Sequence, residues 1–159
     1  MPTEIERKFL LQSPPIDQWG EGVRMRQGYL ARGEHATARV RIAGTRGRLT
    51  IKGPTVGISR AEFEYEIPCS EAEELLTLCE GGLIEKRRWR VPYQGHVWEV
   101  DVFEGENSGL LIAEIELSAE DETFERPDWI GAEVSGDPRY FNGYLSRHPY
   151  QTWREPDQG

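Results

Sequence analysis

The sequence is poor in the residues that build metal–thiolate sites and cysteine nucleophiles. It has two cysteines, Cys69 and Cys79, without CxxC spacing, and three histidines scattered along 159 residues. A zinc site or a Cys/His catalytic pair therefore has no support. Two isolated thiols are typical of a protein kept in a reducing compartment, so we expect a cytoplasmic location.

Long hydrophobic runs and an excess of positive charge are also missing. No apolar run approaches the ~20 residues of a membrane-spanning helix, and the first residues lack the basic and apolar regions of a signal peptide. The formal net charge is -9, which argues against non-specific binding to nucleic acid or to an anionic membrane. A basic cavity inside an acidic shell is compatible with this charge.

The composition fits a single globular domain with little apolar material. Hydrophobic residues make up 37% of the chain and charged residues 30%, a balance that is low for a packed β-sandwich and natural for a barrel with a polar interior. We expect one domain over residues 1–148 and a loose polar tail over residues 149–159. The sequence predicts no oligomeric state.

Most of the chain alternates with the period of two that is typical of β-strands. The predicted strands span residues 3–11, 23–32, 37–42, 48–52, 60–68, 84–91, 96–103 and 111–117. Ser70 as N-cap, with Glu73 completing a capping box, predicts a short helix that ends at Gly81-Gly82. Asp137-Pro138 predicts the N-cap and first residue of a C-terminal helix that runs to about Ser146.

Charged residues share one face of these strands, and each strand carries nearly one sign. The acidic sets are Glu62/Glu64/Glu66, Glu99/Asp101 and Glu114/Glu116, and the basic sets are Arg39/Arg41 and Lys86/Arg88/Arg90. One interpretation is a sheet with one solvated face. Like charges two apart repel by a few tenths of a kcal/mol, however, so a surface has little reason to collect them. We favour a mainly β (α+β) fold: an eight-stranded antiparallel closed β-barrel with a charged lumen and a few helices packed outside.

The two kinds of charge indicate a ligand with two kinds of partner. Arg and Lys donate charge-assisted hydrogen bonds to phosphate oxygens. Clustered carboxylates hold Mg²⁺ or Mn²⁺, which prefer oxygen ligands and bridge to phosphates. The combination points to a metal-bound polyphosphate and to phosphoryl transfer to water.

Glu4-x-Glu6-x-Lys8 resembles the ExExK signature of the CYTH superfamily, the triphosphate tunnel metalloenzymes. Further motifs follow in the order of that family: Arg39-x-Arg41, Thr50-x-Lys52, Glu62-x-Glu64, Lys86-x-Arg88, Asp101, Glu114-x-Glu116 and the stretch from Asp137 to Asn142. The resemblance covers the chain to about residue 147. It implies an eight-stranded antiparallel tunnel, a divalent metal ion and cleavage of a triphosphate.

The resemblance also assigns roles to residues of this chain. It implies that Glu4, Glu6, Glu114 and Glu116 bind the metal ion, with Asp101 as a further ligand or a supporting group. It implies that the phosphates are held by Lys8, Arg39, Arg41, Lys52, Lys86 and Arg88. Glu62 and Glu64 would hold a second metal ion or orient the basic residues, and Arg139 would cap the tunnel.

The stretch Arg26-Gln27-Gly28-Tyr29-Leu30 resembles a motif of the bacterial short-chain members, in which a tyrosine and a lysine activate the attacking water. Tyr29 and Lys52 would form that pair here. Tyr29 shares strand parity with Gln27, not with Arg26, so either Gly28 marks a bulge or Arg26 points out of the tunnel. In the alternative, Tyr29 is an ordinary aromatic residue of the barrel wall.

The resemblance is strongest to the bacterial inorganic triphosphatases, so we expect a small-molecule triphosphate as partner, and neither nucleic acid nor a membrane. Other members act on thiamine triphosphate or RNA 5′-triphosphate ends, or cyclise ATP to cyclic AMP, and these remain alternatives. A non-catalytic barrel that binds polyphosphate or nucleotide is the alternative from another class. The four carboxylates of the proposed metal site favour an enzyme.

Overall fold

Nine antiparallel strands form one sheet in residues 3–153, the part of the chain that the computed structural model describes. They are β1 (Thr3–Leu11), β2 (Val23–Arg32), β3 (Thr37–Ala43), β4 (Arg46–Lys52), β5 (Ser59–Ile67), β6 (Glu80–Tyr93), β7 (His96–Phe103), β8 (Leu111–Glu116) and β9 (Ile130–Glu133). The spatial order is β5-β4-β3-β2-β6-β7-β8-β1-β9, and β5 also pairs with β1. The first eight strands therefore close into a barrel, as predicted, and β9 is an additional strand.

The barrel closes along β1, whose two edges pair with three strands. Residues 6–10 pair with β8 along one edge. On the other edge Glu4 faces Arg60 of β5, and further along Leu11 faces Ile130 of β9. Because β1 pairs with both β5 and β8, the Glu4-x-Glu6-x-Lys8 motif lies next to Glu62-x-Glu64 and Glu114-x-Glu116.

The outward faces of the strands are apolar and covered by other parts of the chain, as predicted. One cluster contains Phe9, Trp98, Val100, Ala113, Ile115, Leu117 and Ile130 and is covered by Trp19, Phe124 and Trp129. In another, Ala72 and Leu76 of helix α1 (Cys69–Leu76) pack on Val40 and Ile42. No helix in residues 3–153 is long and apolar enough to span a membrane.

A third apolar cluster lies inside the barrel. Leu10, Ile84, Phe103 and Ile112 share strand parity with the charged residues, so they point inward, and they pack with Leu145 of helix α2 (Asn142–Leu145). This cluster fills the interior at the end of the barrel next to α2. The charged lumen therefore occupies only the remaining part of the interior.

Helical structure forms in both predicted segments, but its bounds differ from the predictions. The prediction that Ser70 caps α1 is wrong: the helix begins after Pro68 with no side-chain cap, and Glu73 pairs with Arg26 at 2.6 Å instead of closing a capping box. The helix ends at Leu76 and not at Gly81-Gly82 as predicted. Both glycines belong to β6.

Asp137 does cap the C-terminal segment, because its carboxylate accepts a hydrogen bond from the backbone of Arg139 at 3.0 Å. The single helix predicted there is wrong, however. Phe141 has an extended backbone (ψ 141°), which separates a 3₁₀ turn at Pro138–Tyr140 from α2.

The chain packs further toward its C-terminus than residue 148. Tyr150–Thr152 form a 3₁₀ turn, and the indole of Trp153 makes edge contacts with Tyr140 at 5.5 Å and Tyr150 at 4.9 Å between ring centroids. These side chains extend the cluster around Leu145. Residues 154–159 of the predicted tail lie outside the described residues.

Candidate active site

The barrel encloses a cavity of about 1270 Å³. Its lining includes eleven Lys or Arg residues and seven Glu residues, so the cavity is cationic although the chain as a whole is acidic. Twelve of the predicted site residues line it: Glu4, Glu6, Lys8, Tyr29, Arg39, Arg41, Lys52, Glu62, Glu64, Arg88, Glu114 and Glu116. The predicted residues thus include most of the charged side chains of the wall.

The two charge signs face each other from opposite sides of the barrel. The neighbouring strands β7, β8, β1 and β5 contribute the acidic residues, and β4, β3 and β6 contribute most of the basic ones. On β2, which lies between β3 and β6, the inward residues Met25, Gln27 and Tyr29 are uncharged, and Arg32 at the end of the strand adds one cation to the lining. A ligand inside the cavity therefore meets an acidic wall and a basic wall at once.

At one end of the acidic wall, Glu4 is held between two cations. Its carboxylate lies 3.1 Å from Nζ of Lys52 and 3.1 Å from Nε of Arg60. Burial opposes the charged form, but these two cations outweigh it and lower the pKa of Glu4. Lys52 also lies 3.5 Å from Glu62. Burial and the positive charge of Arg39 lower the pKa of Lys52 nevertheless.

Further along the acidic wall, two carboxyl groups lie close together. Lys8 Nζ lies 3.6 Å from Glu6 and 3.4 Å from Glu114, on the two paired strands β1 and β8. Burial and repulsion by Glu114 raise the pKa of Glu6 to about 8. Burial also disfavours the charged form of Glu114, but Lys8, a hydrogen bond from Glu6 and Arg88 hold its pKa well below the usual range. At neutral pH the two carboxyl groups therefore share one proton, which Glu6 holds.

Asp101 lies beneath the cavity wall and does not line it. Arg88 donates two hydrogen bonds to its carboxylate, at 2.7 and 2.9 Å, and Lys86 Nζ lies 2.7 Å away. Lys86 is fully buried and is also absent from the lining, so neither of these two predicted site residues faces the cavity in this structure. Asp101 holds Arg88 in place instead, and Lys86 donates to Asn142 at 3.3 Å.

The basic wall contains cations without an acidic partner in residues 3–153. Nε of Arg41 donates to Gln27 at 2.7 Å, and Arg39 donates only a long hydrogen bond, 3.5 Å, to Thr50. Nε of Arg39 is buried without a hydrogen-bond partner among the described residues. Buried guanidinium groups without a counterion are unfavourable unless an anion binds them.

The orientation of Tyr29 follows one of the alternatives drawn from strand parity. Arg26 points out of the barrel to Glu73 of α1, and Tyr29 lines the cavity. The β2 ladder is also irregular on both sides of Tyr29, where its registers with β3 and β6 shift. The guanidinium of Arg32 lies 5.0 Å from the centre of the Tyr29 ring.

Arg139 does not line the cavity. Its guanidinium pairs with Asp137 at 2.7 Å and lies over the rings of Tyr140 and Trp153. The lining residues that sequence reasoning missed include Arg60, which has the parity of Glu62 and Glu64 and could have been found by it. Phe141 and Asn142 belong to the Asp137–Asn142 motif, but strand parity assigns them no position because they lie outside the strands.

The acidic wall contains the side chains that could bind the predicted divalent metal ion. No group of three or more His, Cys, Asp or Glu side chains within residues 3–153 is arranged to hold a metal ion. The donors are all carboxylate oxygens, however, which suit a hard cation. The carboxylates of Glu6 and Glu114 also repel each other when both are charged, and a cation would relieve this repulsion. The donor chemistry of the acidic wall therefore fits a hard divalent cation.

A closed antiparallel barrel with opposed acidic and basic inner walls defines a polyanion-binding barrel. The chain belongs to the CYTH domain family, whose match spans residues 2–141. It is 49% identical to an inorganic triphosphatase of Acetivibrio thermocellus over 156 residues, covering 98% of this chain and all of that protein. It is 40% identical to an inorganic triphosphatase of Nitrosomonas europaea over 149 residues, covering 91% of this chain and 97% of that protein.

Solved structures agree with this assignment. The crystal structure of the inorganic triphosphatase NE1496 superposes with a TM-score of 0.66 and 37% identity, covering 92% of this chain and 95% of that one. A Hippeastrum protein described as a putative adenylyl cyclase with a dominant triphosphatase activity has a TM-score of 0.54 and 16% identity, covering 73% and 80%. This second likeness concerns the fold alone.

Proposed function

We propose that this chain hydrolyses inorganic triphosphate to diphosphate and phosphate, with a divalent metal ion as cofactor. The observation that carries the proposal is the pairing of an acidic wall with a basic wall that holds uncompensated arginines in one cavity. Relatives at 49% and 40% identity that span nearly the whole chain are named inorganic triphosphatases. The cytoplasmic location and the small-molecule partner belong to the same proposal.

The basic residues bind and orient the substrate. Arg39 and Arg41 offer guanidinium groups without acidic partners in residues 3–153, so a phosphoryl group gives them their missing counterion. Arg88 and Lys8 lie where the basic residues meet the acidic wall. They would neutralise charge on the transferred phosphoryl group, which is the main demand of this reaction on a protein.

The metal ion would be held by Glu6 and Glu114, with Glu4 and Glu116 completing the set. Burial and the negative charge of Glu4 raise the pKa of Glu116, so this group too lies in an excess of negative charge. When bound, Mg²⁺ or Mn²⁺ neutralises phosphate charge and orients the reacting oxygens. We assign Asp101 to the support of Arg88 rather than to the metal ion.

Lys52 is the proposed general base, with Tyr29 as its partner in positioning water. A lysine accepts a proton near neutral pH only if its pKa is lowered, and burial together with Arg39 lowers the pKa of Lys52. The water oxygen bonds to the terminal phosphorus and the bond to the diphosphate oxygen breaks. The proton of the water passes to Lys52, and the diphosphate leaves with its negative charge matched by the basic wall.

The test compares phosphate release from inorganic triphosphate, ATP and thiamine triphosphate, each with Mg²⁺, Mn²⁺ or EDTA. Metal-dependent cleavage of inorganic triphosphate in preference to the other two supports the proposal. Preference for thiamine triphosphate, or formation of cyclic AMP from ATP, would replace it with the corresponding activity. Binding of triphosphate without turnover would identify a binding barrel.

A matched pair of variants tests the metal assignment. We expect Glu6→Gln to abolish metal-dependent turnover without loss of the fold, since it removes one carboxylate of the central pair. Glu66→Gln is the control, because Glu66 is exposed and its carboxylate pairs with Arg46 at 3.6 Å, away from the central pair. Full activity of Glu6→Gln would refute the assignment.

A further inference from the structure

Gln27 accepts a hydrogen bond from an arginine of the basic wall. Within residues 3–153 it is the only uncharged side chain that binds the Nε atom of such an arginine. It faces Arg41 directly across the β2–β3 ladder. Its Oε1 accepts a hydrogen bond from Nε of Arg41 at 2.7 Å, and its side chain is fully buried. Nε2 of Gln27 has no hydrogen-bond partner among the described residues. The contact with Arg41 is therefore the interaction that fixes this amide.

Arg41, like Arg39, differs from three other cations that line the interior. Lys8, Lys52 and Arg88 each have a carboxylate within 3.4 Å, whereas Arg41 has none within 4.0 Å in residues 3–153. Burial and the nearby guanidinium groups of Arg39 and Arg88 lower the pKa of Arg41 to about 9. Arg41 is thus a cation whose counterion has to come from the ligand.

The geometry of the Gln27 contact leaves the rest of the guanidinium available. The amide oxygen engages Nε, and neither terminal nitrogen of Arg41 has a partner within residues 3–153. A guanidinium whose orientation is fixed loses less conformational entropy when it binds a phosphoryl group with its two terminal nitrogens. A carboxylate in the same place would also fix Arg41, but it would compete with the ligand for its charge.

We infer that Gln27 is a positioning residue that aims Arg41 at the phosphoryl oxygens of the substrate and, being neutral, reserves the charge of Arg41 for them. This inference rests on the proposed function of the cavity. It predicts that stability and substrate binding respond in opposite directions to one isosteric substitution. A purely structural role for Gln27 would move both in the same direction.

The central experiment is Gln27→Glu, which keeps the shape of the side chain and adds one negative charge. We expect the melting temperature of the ligand-free protein to rise by several degrees, because the buried guanidinium gains a counterion. We expect the Kd for triphosphate, measured by calorimetry in EDTA to prevent turnover, to increase about tenfold or more, since a hydrogen bond to a charged group is lost or shared.

Gln27→Met is the second variant, and it removes the acceptor while keeping a long side chain. We expect its Kd for triphosphate to increase as well, with a melting temperature at or below that of the wild type. Gln18→Glu is the control for added charge, because Gln18 is exposed and lies outside the cavity lining. We expect it to leave both quantities nearly unchanged.

The outcomes separate this inference from the proposed function. If the wild type neither binds nor hydrolyses triphosphate, the proposed function fails. If the wild type does both and Gln27→Glu binds triphosphate as the wild type does, the role of Gln27 is refuted. If Gln27→Glu does not fold, a Gln27→Met variant with wild-type Kd refutes it equally.

Discussion

Lys86 and Asp101 form a fully buried ion pair, 2.7 Å apart, behind the wall of the cavity. Arg88 contacts the same carboxylate at 2.7 Å, closer than its other carboxylate partners, Glu99 at 3.2 Å and Glu114 at 3.6 Å. Burial opposes the charged form of Asp101, but these cations lower its pKa to about 2. Burial and the neighbouring Arg88 lower the pKa of Lys86 to about 7. The ion pairs of Lys86 and Arg88 with Asp101 connect β6 to β7. The hydrogen bond from Lys86 to Asn142 connects β6 to α2.

We expect Asp101→Asn to destabilise the fold strongly. The substitution leaves the buried Lys86 without its carboxylate partner and removes the nearest carboxylate of Arg88, and breaking a buried ion pair costs about 3 to 5 kcal/mol. Urea unfolding in EDTA measures this change directly. Activity should also fall, because Arg88 loses the carboxylate that orients it, and a high concentration of Mg²⁺ should not restore it.

The opposite result would support the assignment of Asp101 as a metal ligand. A stable Asp101→Asn protein whose activity recovers at high Mg²⁺ would have lost a metal ligand rather than a structural anion. Glu99→Gln is the matched control: Glu99 also pairs with Arg88, at 3.2 Å, but its side chain is 35% exposed. We expect a stability change below about 1 kcal/mol there.

The Glu6–Glu114 pair predicts a pH dependence of the metal-free protein. The pKa of Glu6 is raised to about 8 in the folded state from an ordinary value of 4.5. Between these values the folded state binds more protons than the unfolded state, so the contribution of Glu6 to stability decreases as pH rises from about 4.5 to about 8. Glu6→Gln removes this contribution.

The measurement compares the free energy of unfolding of the wild type and Glu6→Gln in EDTA at several pH values. We expect the wild type to lose stability relative to Glu6→Gln as pH rises through this window. Parallel pH profiles would show that Glu6 titrates normally. At pH 7, addition of Mg²⁺ to the wild type should release protons, because a bound metal ion requires the deprotonated carboxylate.

The alternation of charge predicted the wall of the cavity because it depends on strand parity alone. Glu4, Glu62, Arg39 and Glu114 point inward wherever the barrel closes, and the order of motifs along the chain was enough to propose closure. The same reasoning, although it was not applied to Arg60, would have placed this residue on the inward face; its ion pair with Glu4 depends on β1 pairing with β5.

Parity could not say how deep each inward residue lies. Lys86 and Arg88 have the same parity, yet only Arg88 reaches the cavity, because the apolar cluster around Leu145 fills the barrel next to Lys86. That filling depends on the break at Phe141, which turns α2 toward the barrel. The local pattern around Asp137 predicted a helix start but contained no signal for this break. β9 was missed because its four residues are too short to show alternation.

Lys52→Arg separates charge from basicity at the proposed catalytic centre. Arginine keeps the cation next to Glu4 but accepts no proton in the accessible pH range. We expect the Kd for triphosphate to change little and kcat to fall by about 100-fold. Because the pKa of Lys52 is lowered, wild-type kcat should decrease toward acidic pH as Lys52 becomes protonated, and this limb should vanish in the variant.

Tyr29→Phe completes this test. If Tyr29 positions water for Lys52, the variant should lower kcat and leave the acidic limb in place. A wild-type kcat in Tyr29→Phe would make Tyr29 an ordinary aromatic residue of the wall. A wild-type kcat in Lys52→Arg would show that Lys52 only binds phosphate.

Arg32 binds the segment that contains α2 to the barrel, and we expect its substitution to destabilise this part of the cavity wall. Its guanidinium donates to the backbone carbonyl of Gly143 and to Ser146 Oγ, the latter at 3.0 Å, while it stacks on Tyr29. Hydrogen bonds from a charged, largely buried group contribute about 1.5 to 3 kcal/mol. Arg32→Met should therefore lower the free energy of unfolding by about that amount.

The same variant should speed hydrogen exchange at the backbone amides of residues 145–148, which are bonded within this segment. Arg147→Met is the control, because Arg147 is 56% exposed and pairs with Glu80 at the surface, so its removal should cost less than about 1 kcal/mol. Equal effects of the two substitutions, or unchanged exchange in Arg32→Met, would show that Leu145 and its apolar neighbours hold α2 without Arg32. Residues of α2 line the cavity beside Tyr29. Faster exchange accompanied by a lower kcat would therefore show that catalysis depends on the stability of α2.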